Sequence, residues 1–453
     1  MELVILSTST LGDADLGSVR RRAQWARAAL RRGDRVLFVE AVASCAPFTH
    51  PNLTLYSLAA LGFSERALRR AWHGLDPENW QAWQDAFTRA LETFETRTPQ
   101  IRVAIVADPF IPFVAVLAIL QQRGYRIVYD CLDDFEALAA LGYEFENTDA
   151  EMFLLETCEL TTVVSTVLCD KLRARAPHAP IHFLPQGYDP DAFSIPPPAP
   201  PLPADLTRGT RTLGFWGHIN DFNVDTALLT HLAQAHPDWS IILIGPVDAD
   251  MARPPVGAAL RVVPNIHLLG PKPHAVLAAY LAWFDVALAP YPAHAFNAAR
   301  GPLKVYEYLT GYKPIVAAHT PQLADVPYVY RADSPNAFLA QIERALGIPV
   351  DRAAVDAFLA NSTWDERWQQ LLAALEAAPR RSAPLAAPDV RRWYGKDKIA
   401  TNVSHYLAAT EQLLEERTRV IAALESDACA KQKHIQRLES INPFWWLKTL
   451  ISK

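Results

Sequence analysis

Apolar and polar positions along the chain fall into short runs whose period changes repeatedly. Leu3–Ser7, Arg35–Val39, Val103–Ala107, Arg126–Tyr129, Thr162–Ser165 and His182–Leu184 are apolar stretches about one strand long. Between them, Val19–Arg31 and Val114–Gln121 repeat with the period of about 3.6 residues that marks a helix face. Strands alternating with helices predict a parallel sheet wrapped by helices. The alternation stops at Ile195-Pro-Pro-Pro-Ala-Pro-Pro-Leu-Pro203, a stiff extended segment that fits neither a helix nor a central strand. It resumes with strands at Thr212–Trp216, Ser240–Ile244, Ile266–Leu269, Asp285–Ala289, Pro314–Ala318 and Tyr328–Tyr330. Helices are expected near Asp225–Ala235, Ala275–Trp283 and Leu303–Leu309, with more to about Ala377. The expected organisation is therefore two similar α/β domains, 1–194 and 210–377, joined by a Pro-rich linker at 195–209. A second linker at 378–390 leads to a helical tail at 391–453.

Composition narrows the function. Of 453 residues, 50% are hydrophobic and 20% charged, an ordinary globular mixture that excludes a collagenous or wholly disordered chain. The net charge of −6 lacks the basic excess that neutralises phosphates along a duplex, so no nucleic-acid partner is expected. Cys45, Cys131, Cys158, Cys169 and Cys429 are odd in number and scattered, without a C-x-x-C pair, as suits a reducing cytoplasm. Glu2 stands where a signal peptide needs basic residues, and the longest apolar stretch, Pro109 to Leu120, is too short to span a bilayer. Any membrane contact is expected to be peripheral, on the inner face of the plasma membrane.

The tail differs from the rest. Residues 391–453 carry 11 basic and 7 acidic side chains, so the tail is +4 while the remainder is −10. Leu407, Leu414, Ile421, Ala428 and Ile435 repeat at heptad spacing, but the partner positions include Thr410, Arg417 and Lys431, a partial coiled-coil seam that predicts weak self-association at most. The end, Phe444-Trp445-Trp446-Leu447-Lys448, mixes interfacial aromatics with lysines, so residues 441–453 are a candidate contact to an anionic membrane surface. Docking of the tail on its own body is the alternative.

Three motifs bear on chemistry. Gly12 and Gly17 frame a loop after the first strand with the glycine spacing of a phosphate loop, but no Lys follows Gly17, so it is taken as a strand-to-helix loop on the acceptor side of a cleft. Asp13-Ala-Asp15 and Asp248-Ala-Asp250 match D-x-D, a pattern short enough to occur by chance, and neither a metal nor another cofactor is expected. Most informative is Gly301-Pro-Leu-Lys-Val-Tyr-Glu-Tyr-Leu-Thr-Gly311, where Pro302 suits the first turn of a short helix and Gly311 its end. Lys304 would add a charge beside the helix N-terminus, and Glu307, one turn on, can accept both hydrogen bonds of a ribose diol.

These residues sit in a wider pattern. Gly214-Phe-Trp-Gly-His218, Trp239-Ser-Ile-Ile-Leu-Ile-Gly-Pro246, Asn265-Ile-His-Leu-Leu-Gly270, Phe284-Asp-Val-Ala-Leu-Ala-Pro290 and Lys304-Val-Tyr-Glu-Tyr-Leu-Thr-Gly-Tyr-Lys-Pro-Ile-Val316 occur in the order found in the second domain of GT-B-fold glycosyltransferases of group 1, similar to family four. Tyr129-Asp130-Cys-Leu-Asp133-Asp134 and Leu184-Pro-Gln-Gly-Tyr-Asp189 resemble, more weakly, the acceptor-side domain of bacterial cell-surface polysaccharide members.

The resemblance implies two Rossmann-like domains facing a central cleft and a nucleotide diphosphate-sugar as donor. It gives the ribose to Glu307, puts Gly217 and His218 on the loop at the donor phosphates, and sets Gly270, Pro271 and Lys272 beside the base. The chain departs from the family in two places. The first acid of the paired-glutamate motif is replaced by Ala299, and the usual cations are missing from His218-Ile-Asn-Asp-Phe-Asn-Val224. Phosphate neutralisation then falls to Arg300, beside Gly301, and to Lys304. Asp133 and Asp134 are the catalytic candidates, with helix capping as their alternative role. The function implied is transfer of a sugar to a glycan or lipid-linked acceptor in cell-surface glycan assembly, with retention and without metal. The rival is a non-catalytic GT-B-like body that binds nucleotide or glycan and docks or oligomerises through its tail.

Overall fold

The structure, a computed structural model, describes residues 1–11, 19–41, 43, 48–64, 80–97, 101–140, 148–191, 193, 195, 200–247, 256–381 and 384–385. Gly12, Gly17, both D-x-D pairs, Cys45, Cys429 and the whole tail 391–453 lie outside these residues. All the described residues belong to one compact unit.

That unit holds two parallel sheets. The first contains β1 (Glu2–Ser7), β2 (Arg35–Glu40), β3 (Leu53–Ser57), β4 (Arg102–Val106), β5 (Arg126–Cys131), β6 (Leu160–Val163) and β7 (Ile181–Phe183), in the order β3-β2-β1-β4-β5-β6-β7. The second contains β8 (Thr212–Trp216), β9 (Ser240–Ile244), β10 (Ile266–Leu268), β11 (Val286–Ala289), β12 (Ile315–Ala317) and β13 (Val329–Arg331), in the order β10-β9-β8-β11-β12-β13. All their pairings are parallel. Both orders reverse direction once, between β1 and β4 and between β8 and β11. Chains leave the two strands at such a point toward opposite sides, which opens a crevice beyond their C-terminal ends.

The apolar runs become central strands because both faces are covered: β1, β5, β8 and β9 are buried throughout. Two elements of the first domain escape the sequence pattern. β3 is a half-buried edge strand, and the helix Trp80–Phe94 buries Trp80, Trp83, Phe87, Ala90, Leu91 and Phe94 along one face. The expected helix Val114–Gln121 is instead two short helices, Ile111–Val114 and Leu117–Gln122, because Val116 leaves the helical region (φ −103°, ψ 1°). Cys131, Cys158 and Cys169 are free and buried.

Two segments tie the domains together. The Pro-rich linker packs along the second domain: Leu206 joins its core, Trp283 Nε1 donates to Pro200 O at 3.1 Å, and Arg208 lies 5.2 Å from the Trp283 ring. The helix Trp364–Ala377, which chain order groups with the second sheet, returns to the first. Trp364, Trp368, Leu371 and Leu375 join the core around Trp25, whose ring lies 5.4 Å from Trp364 and 5.9 Å from Trp368. Burying each such large apolar side chain contributes roughly 1.5–3 kcal/mol, enough to hold the returning helix in place. Among the described residues no helix is long and apolar enough to cross a membrane.

Candidate active site

The three acids of Tyr129–Asp134 have three different surroundings. Asp130 points to the sheet face covered by the helix Val19–Arg31 and is fully buried, accepting hydrogen bonds from Arg21 Nε and Nη2, Trp25 Nε1 and Thr162 Oγ1. Burial pushes its carboxyl upward, but Arg21 outweighs this and holds it below the usual range. Asp134 accepts from Ala137 N at 3.0 Å, capping the helix Phe135–Ala140, and both its oxygens take Lys171 Nζ, at 2.7 and 2.8 Å. Asp133 remains. It is partly exposed, and among the described residues no donor hydrogen-bonds its carboxylate. Burial, with Asp108 and Asp134 adding, pushes its carboxyl above the ordinary range against the pull of Arg300 and Arg22.

Asp108 and Arg22 did not stand out in the sequence. Asp108 lies two residues beyond the end of β4 and pairs with Arg22 Nη2, while its Oδ2 accepts from Thr8 N at 3.0 Å and Thr8 Oγ1 at 2.7 Å. Arg22 Nη1 donates to Ser9 Oγ at 2.7 Å. An acid immediately beyond an apolar strand was the available signal; its partner, 86 residues away, gave none.

On the second domain, Gly217 leaves β8 with φ +143°, where a Cβ would meet Lys304 Nζ at 2.5 Å. Glycine here lets the ammonium come down onto the backbone of the loop. Lys304 Nζ also lies 4.1 Å from the Phe215 ring and 5.5 Å from the Tyr291 ring. Burial, with Arg300 adding and Glu307 opposing, pushes this ammonium well below the ordinary lysine range. A cation so placed gains from any anion that arrives.

The helix carrying Lys304 runs Lys304–Thr310, two residues later than Pro302 suggests, because Pro302 and Leu303 form a tighter lead-in turn with Val305 N donating to Pro302 O at 3.3 Å. With seven residues its dipole is short, so side-chain cations dominate the local potential. Gly311 ends it at φ −87°, and Tyr312 takes the left-handed turn at φ 52°.

Glu307 is 5% exposed, and its carboxylate is held from two sides. Trp216 Nε1 donates to Oε2 at 3.2 Å, and His274 Nε2 lies 2.9 Å from Oε1. The Phe193 ring, from the chain leaving the first domain, packs on both partners, 5.7 Å from Trp216 and 5.1 Å from His274.

Arg300 extends from the end of the helix Ala295–Ala299, 4.5 Å over Tyr291 and 5.1 Å over Phe296. Ala299 is buried, and its carbonyl accepts from Ser165 Oγ of the first domain at 2.5 Å, which keeps this loop against the opposite sheet.

The remaining candidates spread along the strand ends. His218 is exposed beyond β8. Gly270 takes φ +71° and accepts from Gly245 N at 3.0 Å, and Pro271 is exposed. Lys272 Nζ donates to Asp205 at 2.6 Å, which also accepts from Tyr280 OH at 2.8 Å. The linker thus holds the Lys272 ammonium. Among the described residues no three His, Cys, Asp or Glu side chains converge as metal ligands.

No family sequence profile matches the chain. It is 28% identical over 236 residues, 49% of its length, to the putative teichuronic acid biosynthesis glycosyltransferase TuaH of Bacillus subtilis (strain 168), and spans 59% of that relative. Among solved structures it resembles sucrose-phosphate synthase from Thermosynechococcus elongatus, with a TM-score of 0.59 at 16% identity over 83% of this chain and 98% of that one. It also resembles WaaG, a glycosyltransferase involved in lipopolysaccharide biosynthesis, with a TM-score of 0.55 at 14% identity over 82% and 98% of the chains. Two parallel α/β domains with these neighbours show that the described body has the GT-B fold.

Proposed function

We propose that the chain is a glycosyltransferase that moves a sugar from a nucleotide diphosphate-sugar to a glycan or lipid-linked acceptor in cell-surface polysaccharide assembly. The observation that carries this reading is the convergence of Arg300, Lys304 and an oriented Glu307 beyond β8 and β11, where the strand order reverses. TuaH is named for teichuronic acid biosynthesis and WaaG for lipopolysaccharide biosynthesis, which supports a glycan as the acceptor.

Each group has a task. Glu307, oriented by His274 and Trp216, accepts hydrogen bonds from the ribose diol. As the bond between the sugar and the diphosphate breaks, negative charge gathers on the leaving diphosphate, and Arg300 and Lys304 stabilise it there. Asp133, whose carboxyl is held high by burial, takes the proton of the attacking hydroxyl. Retention follows the family pattern, and with two cations at the phosphates the transfer proceeds without a metal, so EDTA leaves it intact.

One observation favours a second reading. Ala299 replaces the acid that contacts the donor sugar in the family, which suits a body that binds nucleotide without turnover. In either case the body works in the cytoplasm, with the tail as a peripheral contact to an anionic membrane or a weak self-association arm. Calorimetric titration with UDP, GDP and ADP tests the donor site. One diphosphate should bind well ahead of its nucleoside, and equal affinities for all three pairs would refute the assignment.

A further inference from the structure

The loop after β8 lacks the cations that the family places there, yet it is not idle. Asn223 is 6% exposed, and its Oδ1 accepts from Arg300 Nη1 at 2.7 Å. Asn297, fully buried, presents its Oδ1 to the same nitrogen at 3.0 Å. Neither amide is free to turn. Asn223 Nδ2 donates to Asn220 Oδ1 at 2.9 Å, and Asn297 Nδ2 donates to Phe222 O at 2.8 Å and Pro292 O at 2.9 Å. Both side chains therefore keep an oxygen toward Arg300. The two loops that meet here leave β8 and β11, the strands on either side of the order reversal.

The choice of amides has an electrostatic consequence. A carboxylate at either position would grip the guanidinium more tightly but cancel its charge. An amide oxygen fixes direction and leaves the charge available to another anion. Nη1 uses both its N–H groups on the two amides, and Tyr291 and Phe296 cover the guanidinium at 4.5 and 5.1 Å. Among the described residues nothing accepts from Nε or Nη2. That edge is a planar fork of three N–H groups, a geometry matched to phosphate oxygens.

We infer that Asn223 and Asn297 are positioning residues that aim Arg300 at the donor diphosphate without themselves cancelling its charge, so that the β8 loop supplies the grip on a cation where the family supplies the cation itself. The inference rests on the donor-site reading above. It predicts that loss of the amide character of Asn223 acts on the phosphates, through Arg300, and not on the nucleoside.

The test is calorimetry of wild type, Asn223→Asp, Asn223→Ala, Arg300→Ala and Arg300→Ala/Asn223→Ala, with UDP, GDP and ADP against uridine, guanosine and adenosine. Thermal unfolding is recorded for each variant. Asn223→Asp should lower diphosphate affinity about tenfold while nucleoside affinity stays within about twofold, because it adds a charge that neutralises Arg300. Its melting temperature should change little, because the new ion pair with Arg300 offsets the lost hydrogen bond from Asn223 Nδ2 to Asn220 Oδ1. Asn223→Ala should lower diphosphate affinity by less, and the double variant should bind no more weakly than Arg300→Ala alone. Wild-type diphosphate affinity in Asn223→Asp, or an additive double variant, would overturn the inference. If Asn223→Asp does not fold, Asn223→Ala and its combination with Arg300→Ala carry the test, because alanine at 223 adds no charge beside the diphosphate. A wild-type protein that does not prefer diphosphate to nucleoside would instead remove the donor-site reading.

Discussion

His274 Nε2 and Glu307 Oε1 stand 2.9 Å apart across 33 residues of sequence, and both side chains are nearly closed to solvent, 13% and 6% exposed. Glu307 enters from the helix Lys304–Thr310 and His274 from the first turn of the helix His274–Leu281. With Trp216 on the other oxygen, the carboxylate is held at both ends in the free protein. Such preorganisation lowers the ordering cost of binding.

Glu307→Gln keeps the shape but removes the charge that strengthens hydrogen bonds from a ribose diol, each worth about 1.5–3 kcal/mol. Nucleoside diphosphate affinity should fall about tenfold, and the preference for the ribose over the 2′-deoxyribose form should shrink with it. His274→Phe should shift the same preference, by a smaller factor, without changing the preference for diphosphate over nucleoside. Titration with paired ribose and deoxyribose diphosphates checks both variants.

Lys304 links ligand binding to protons. Its protonated form is disfavoured in the fold, so the unfolded chain holds the proton more tightly. Stability therefore rises with pH through the window between the depressed pKa and the ordinary lysine value of 10.5. A diphosphate reverses the sign locally by favouring the ammonium. At pH within that window binding should take up protons, seen as a buffer-dependent enthalpy, and Lys304→Met should abolish that uptake. The same variant should melt at a higher temperature without ligand while losing about tenfold in diphosphate affinity.

As the proposed base, Asp133 would work only when ionised, so transfer should fail as pH drops through its carboxyl pKa, which lies above the ordinary aspartate value of 3.8. Asp133→Asn should lower kcat by about 100-fold or more, flatten the acid limb of the pH–rate profile, and leave diphosphate affinity within about twofold. Asp134→Asn should act mainly on stability, because Asp134 caps a helix and holds Lys171.

The tail prediction concerns residues outside those the structure describes. Each Lys or Arg near an anionic surface contributes about 1 kcal/mol, so the full chain should co-sediment with anionic vesicles in a salt-sensitive way, and a form ending at Ser440 should not. Equal sedimentation of the two forms would end the anchor proposal.

Much of this architecture was legible because its signals are local. Strand and helix periods marked most of both sheets, and Lys304 and Glu307 share one short helix. What stayed hidden depends on chain closure. Asn223 reaches Arg300 over 77 residues, Ser165 reaches Ala299 over 134, and Trp368 returns to Trp25 from the far end of the second domain. No local pattern encodes such pairs, since each residue alone reads as an ordinary polar or aromatic position. The edge strand β3 was lost because five half-buried residues carry little hydrophobic contrast. The early start expected of the Lys304 helix failed because proline preference cannot tell a lead-in turn from a first helical turn.

The most direct test is turnover itself. Purified chain is incubated with a panel of UDP-, GDP- and ADP-sugars in EDTA, with and without lipid-linked and oligosaccharide acceptors, and free nucleoside diphosphate and glycosylated acceptor are both measured. One donor should give acceptor-dependent release matched by product, abolished in Glu307→Gln and Asp133→Asn. Tight diphosphate binding with no acceptor-dependent release from any donor would contradict it and leave the non-catalytic reading of the Ala299 site.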